Sequence, residues 1–198
     1  MFTINIYLRF ALIGLTIIGG AILSLFTSFW YALPLFLVGI TLLVGYILLG
    51  TVQTAAIFME KMDFAGAEKR LNLTWKPQWM YNVNRAYYFL LKGTIAMQKK
   101  DNDAAEKYFH IAKDLKLPGE NEKAMVHLNL SNLAAARGNW NLAKVEMSTA
   151  KKFKVTDSNL KDQMRQYEKA LSQSGTVRKH GMTAGKQMGG KRKRPKMR

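Results

Sequence analysis

The chain has 198 residues, a formal net charge of +17 and no cysteine, which excludes disulfides, thiolate zinc sites and thiol catalysis. Its mean hydropathy of −0.11 is that of a soluble protein, but the average conceals two portions of opposite character. Residues 1–60 hold only Arg9 and Glu60 as charged side chains and contribute no net charge, so the whole excess lies in residues 61–198.

From Phe10 to Met59 there is no Asp, Glu, Lys, Arg or His, a run that accommodates two membrane spans of about 20 residues each. The first span is expected over residues 8–27. Thr27 and Ser28 then interrupt the apolar pattern, Phe29, Trp30 and Tyr31 suit a membrane–water interface, and Pro34 fits the first turn of a second helix. That helix is expected over residues 33–50, antiparallel to the first because the connection is short. A cleaved signal peptide would be followed by small residues rather than by aromatic ones. Thr16, Gly20 and Ser24 fall at four-residue spacing, a small-residue stripe that permits close helix approach. Arg9 flanks one end, Lys61, Lys69 and Arg70 lie beyond the other, and the connection carries no charge. Both termini are therefore expected in the cytoplasm, at the inner membrane if the source is bacterial. Between Phe10 and Met59 the spans offer no ionisable side chain other than tyrosine, so ion-coupled transport has no groups to use, and the economical role is an anchor.

Beyond the spans the chain repeats itself. Ala67, Ala105 and Ala143 are 38 residues apart both times, and the same offset links Leu71, Phe109 and Met147, then Thr74, Ala112 and Ala150, and upstream Ala55, Gly93 and Ser131. Each unit reads as a helix pair, with helices expected from Asn84 to Lys99 and from Asp103 to Leu115 in the second. Small residues stand where helices cross closely and large apolar ones where the outer helix fills space. With Leu117-Pro118 ending a unit, these columns resemble the tetratricopeptide repeat family over about residues 48–153. The departure is in period, 38 against the family's 34 or so, with the additional residues in the links Trp75-Lys76-Pro77-Gln78 and Pro118-Gly119-Glu120-Asn121. The first repeat helix, Leu48 to Met62, is expected to continue the second span without a break. A closing helix is expected from Asn159 to Leu171, capped near Ser158.

The expected fold class is thus all-α: a two-helix transmembrane hairpin (1–50), an α-α repeat solenoid of tetratricopeptide type with its closing helix (51–174), and a disordered basic tail (175–198). The resemblance implies a concave surface that accepts a peptide or a partner's helix and performs no chemistry. Candidate groove residues are Tyr87, Leu90, Thr94 and Met97, with Leu128, Asn129 and Asn132; packing of these same residues on the closing helix is the competing role. The carboxylate clamp known in one subclass is unsupported, since the matching positions carry Val52, Ala56, Leu91, Met125 and Asn129. Trp75, Trp79, Tyr81, Tyr87 and Tyr88 crowd one link and the helix after it. They suit packing between units, a partner surface or the lipid interface, and packing is the favoured role.

The tail from Thr176 holds Arg178, Lys179, Lys186, Lys191, Arg192, Lys193, Arg194, Lys196 and Arg198 and no acid. It has too few apolar residues to bury a core. Its chemistry suits anionic lipid or the phosphates of RNA, as on a ribosome; no aromatic residue interrupts it to stack on bases. His110, His127 and His180 lack a metal-ligand pattern and read as structural. The acids read as scattered over solvated helix faces, Gly119-Glu120-Asn121 reads as a turn, and no phosphate-binding loop or hydrolase motif occurs. No cofactor and no enzymatic activity are expected. The leading expectation is a membrane-anchored adaptor that recruits a protein at the cytoplasmic face, and the alternative is tethering of RNA, a ribosome or anionic lipid through the tail.

Overall fold

The computed structural model describes residues 6–115 and 117–187, with side chains described for 7–115 and 117–173. The described residues are all-helical: α1 (Ile6–Phe26), α2 (Phe29–Leu49), α3 (Val52–Glu60), α4 (Phe64–Asn72), α5 (Asn82–Gln98), α6 (Asn102–Asp114), α7 (Glu120–Ala136), α8 (Trp140–Ala150) and α9 (Ser158–Gln187), with a short 3₁₀ turn at Pro77–Trp79. They fall into two compact units, Met1–Pro118 and Gly119–Arg198.

In the first unit α1 and α2 are long and apolar enough to cross a membrane. At about 1.5 Å per residue, each of these 21-residue helices matches a hydrocarbon core about 30 Å thick. They pack antiparallel through small residues. A Cβ on Gly39 would lie 2.8 Å from the Thr16 hydroxyl and from Ile17, and one on Gly20 would lie 3.3 Å from the Phe36 ring. Thr16 and Gly20 of the expected stripe are buried at this seam; the Ser24 hydroxyl instead donates to the Ala21 carbonyl of its own helix at 2.7 Å. The start of α1 lies beside the end of α2: Phe10 meets Tyr46 edge-on at 5.0 Å, and Arg9 reaches the Leu42 carbonyl at 3.5 Å.

Two expectations for the hairpin are corrected. The second helix begins at Phe29, with Ser28 as N-cap, so Phe29, Trp30 and Tyr31 form its first turn and Pro34 stands inside the helix. Nor does α2 run on into the next helix. Gly50 adopts φ 63°, ψ −152° and its amide caps the Tyr46 carbonyl, a conformation that only glycine takes readily. The chain therefore turns sharply at Gly50-Thr51 before α3 begins.

The turns inside the three helix pairs α3/α4, α5/α6 and α7/α8 are built alike. Met62, Lys100 and Gly138 each follow the end of a helix in the left-handed region, at φ 59°, 62° and 76°. The next residues, Asp63, Asp101 and Asn139, donate their amides back to Phe58, Ala96 and Ala134, which satisfies carbonyls that a helix C-terminus otherwise leaves open. The same three side chains accept from the amides of Gly66, Ala104 and Leu142 at 2.8, 3.0 and 3.2 Å, so each is also the N-cap of the following helix. One residue closes one helix and opens the next.

All twelve residues of the four 38-residue columns are buried. Gly93 shows what the small positions do: a Cβ there would lie 2.7 Å from the Phe109 ring, which is itself fully buried. In the second unit, α7, α8 and α9 share a core that includes Leu128, Met147, Val155, Leu160, Met164 and Leu171. Glu120 opens α7 with Gly119 as its N-cap, so the expected turn at 119–121 is shorter than its three residues. The closing helix α9 continues to Gln187, beyond the expected end at Leu171 and into the stretch expected to be disordered. Elongation of a packed helix adds a hydrogen bond per residue, whereas nucleation carries the cost; the segment through Leu171 supplies that nucleus.

Candidate binding surfaces

The seven groove candidates divide between the two units. On α5, Tyr87, Thr94 and Met97 are half-buried, while Leu90 is 2 % exposed. Tyr87 packs against the core formed by α3, α4 and α5, and the Thr94 hydroxyl donates to the Leu90 carbonyl at 3.0 Å. On α7, Asn129 and Asn132 are half-buried, and Leu128 is 4 % exposed within the core completed by α9. Leu90 and Leu128 are thus core residues rather than groove residues. Six residues of α5 and eight of α7 are buried, and apolar character alone does not tell a groove position from a core one. Packing on the closing helix, the competing role, is the one Leu128 takes.

The aromatic cluster also divides. Tyr88 is buried, and burial together with the nearby Tyr108 hydroxyl raises its pKa. Trp75, Trp79 and Tyr81 are instead 66 %, 50 % and 64 % exposed. The favoured packing role fails for these three: of residues 75–81, around the 3₁₀ turn at Pro77–Trp79, only Met80 is buried.

A feature the sequence did not suggest is an open cavity of about 330 Å³ in the second unit. Phe153, Val155 and Met164 give it apolar walls, and Lys154, Lys161 and Arg165 line it with positive charge. Lys151 and Glu168, paired at 2.7 Å, line it as well. A ligand suited to it would present an apolar side chain next to carboxylates.

A second such feature is the buried pair His127 Nδ1 and Glu146 Oε2, 2.5 Å apart, with the imidazole stacked on Phe153 at 5.5 Å. Glu146 is therefore not one of the solvated acids. The signal was present in the sequence: Ala143, Glu146, Met147 and Ala150 follow the i, i+3, i+4, i+7 spacing of a single helix face, and all four are buried. Nearby, the Ser131 hydroxyl donates to the Ala143 carbonyl at 2.6 Å and lies 3.2 Å from the Tyr167 hydroxyl. Burial raises the Tyr167 pKa, and the Ser131 hydrogen bond opposes that. These groups rivet α7 to α8 and α9 and leave no open nucleophile.

Of the basic tail residues, Arg178, Lys179 and Lys186 lie on the backbone of α9, while Lys191, Arg192, Lys193, Arg194, Lys196 and Arg198 lie outside the described residues. No protein-family model matches the chain, and neither does any curated protein or solved structure. Function must be argued from the chain itself.

Proposed function

We propose that the protein is a membrane-anchored scaffold of tetratricopeptide type, with both termini cytoplasmic, whose helix pairs recruit a protein partner to the membrane surface. The observation that carries this reading is the same capped turn built three times at Met62-Asp63, Lys100-Asp101 and Gly138-Asn139, directly after two helices able to span a bilayer. Helix pairs of constant design repeated along a chain present surfaces suited to peptides or helices rather than to catalysis. The half-buried Tyr87, Thr94, Met97, Asn129 and Asn132 and the cation-lined cavity beside Phe153 are the surfaces such a partner would use. An acidic segment with apolar anchors suits them.

The test is photocrosslinking in intact membranes, with the reactive residue at Tyr87, Asn129 or Lys161, and a nuclease-treated control. A discrete protein adduct that survives nuclease treatment and deletion of residues 176–198 is expected. Capture of lipid alone, or of nothing, ends the adaptor reading. The tail supports a second reading, tethering of RNA, a ribosome or anionic lipid, because nine basic residues occur there without an acid. In that case the adduct disappears with the tail and with nuclease, and binding weakens steeply with salt.

A further inference from the structure

The link between the first and second helix pairs closes over the end of α2. The amide of Tyr81 donates to the Leu48 carbonyl at 3.0 Å, and the Asn84 side chain donates to the Leu49 carbonyl at 3.3 Å. The Tyr46 hydroxyl donates to the Leu73 carbonyl, and Met80 sits against Gly50. Carbonyls that the last turn of α2 would leave open are thus satisfied by residues that follow about one repeat later, and the link is held at the level where the helix ends.

That level carries a physical consequence. If α2 spans the bilayer, its last residues lie at the boundary between hydrocarbon and headgroups, and so does the link. What the link exposes suits that boundary and not water. Trp75 and Trp79 meet edge-on at 5.6 Å, both largely exposed, and the Lys76 ammonium lies 4.5 Å from the Trp79 ring centroid and 5.6 Å from that of Trp75. Tyr81 is exposed beside them, as are Leu48 and Leu49 of α2. Indole and phenol rings concentrate at the headgroup level because one edge is apolar and the other forms hydrogen bonds. The charge next to the link is also one-sided: from Lys69 to Arg85 there are four basic residues, Lys69, Arg70, Lys76 and Arg85, and no Asp or Glu. A basic residue near an anionic membrane surface is drawn to it.

We infer that Trp75-Lys76-Pro77-Gln78-Trp79-Met80-Tyr81 is a second membrane contact, seated in the headgroup layer with its indoles among the lipids and Lys76 on the phosphate of an anionic lipid. This rests on the hairpin being the anchor. The contact adds a hold on lipid to the hydrogen bonds that already tie the link to the end of α2.

The full chain carrying Trp30→Phe and Trp140→Phe retains Trp75 and Trp79 as its only indoles. It is reconstituted into nanodiscs of phosphatidylcholine with phosphatidylglycerol, in which a trace of either lipid carries a quencher near the headgroup or at the chain end. Tryptophan emission should be quenched severalfold more by the shallow label than by the deep one, and more by labelled phosphatidylglycerol than by labelled phosphatidylcholine. Aqueous iodide should have little effect, and Lys76→Gln should abolish the difference between the two lipids while leaving the depth dependence. Strong iodide quenching without lipid quenching, in a chain that still resists alkaline extraction from membranes, would overturn the contact and leave the anchor standing. Shielding from both iodide and lipid labels would mean that a second copy or another protein covers the link, and also overturns it. Equal quenching by the two labelled lipids removes the phosphate contact. Release by alkali removes the anchor and this inference together.

Discussion

At Gly93 the missing side chain is what the position contributes. The Phe109 ring fills the space where a Cβ would stand, 2.7 Å from it, so the two residues act as one packed pair. Gly93→Ala should gain up to about 1 kcal/mol of helix propensity, but overpacking a core costs about 1–3 kcal/mol, and the ring has no free side to move into because it is fully buried. Net destabilisation is expected in thermal melts in detergent. Phe109→Leu added to Gly93→Ala should recover part of it, a non-additivity that separates a local clash from a general loss of helix. Tyr167 gives a prediction in pH. Its pKa is raised above the ordinary 10.0 by burial, so the folded state holds the proton more tightly than the unfolded one. Its contribution is complete below pH 10 or so and is lost as the pH rises through the folded value. The stability difference between the native chain and Tyr167→Phe should shift against the native chain as the pH is raised from about 9 to 11, and a difference that stays constant would show that the phenol is not protected in the fold.

At the scale of the element, the three intra-pair turns form an internal experiment. Met62 and Lys100 hold left-handed conformations that glycine holds at Gly138. A side chain in that region costs about 1–2 kcal/mol, and glycine's extra freedom in the unfolded chain returns part of any gain. Lys100→Gly should stabilise by about 0.5–1 kcal/mol, whereas Gly138→Ala should destabilise by about 1 kcal/mol. Nothing lies within 4 Å of a Cβ at Gly138, so conformation alone decides the sign; equal effects of the two changes would mean that the turns differ in solution. These turns also show what was readable in the sequence. The columns at Ala67, Ala105 and Ala143 and at Leu71, Phe109 and Met147 gave the pairing and period of the helices, because burial selects size. The break between α2 and α3 leaves no mark in the sequence, because Gly50 lies in an apolar run where glycine is common and only its backbone angle reveals the break. Leu90 and Leu128 were misplaced because spacing reports that a face is apolar and not what covers it. The charged cavity has no sequence signature, because its residues come from two helices and a loop.

For the whole molecule, the hairpin is part of the first unit's packing. Tyr46 bonds Leu73, Leu48 and Leu49 accept from Tyr81 and Asn84, and the Arg70 guanidinium lies 4.7 Å over the Tyr7 ring and 5.4 Å from that of Phe58. A chain starting at Thr51 loses every one of these contacts except that with Phe58. Hydrogen exchange should then find α3 and α4 less protected than in the full chain, with α8 unchanged; equal protection of α3 and α4 with and without the hairpin would show that the hairpin is an appendage. The charge-free run made the two long apolar helices legible in the sequence, but not their attachment, since a hydrogen bond from Tyr81 to Leu48 leaves no trace in composition.

The double duty of Asp63, Asp101 and Asn139 limits how such a chain can change its length. Because the residue that ends one helix begins the next, there is no spare position inside a pair. One inserted residue would rotate the second helix by about 100° and carry Ala67, Ala105 or Ala143 away from the seam. Among the described residues, none in the links at Trp75–Gln78 and Pro118–Gly119 closes one helix and opens the next. Insertions and deletions among natural variants of this chain should therefore gather between pairs and be absent within them, a pattern that sequencing alone can read.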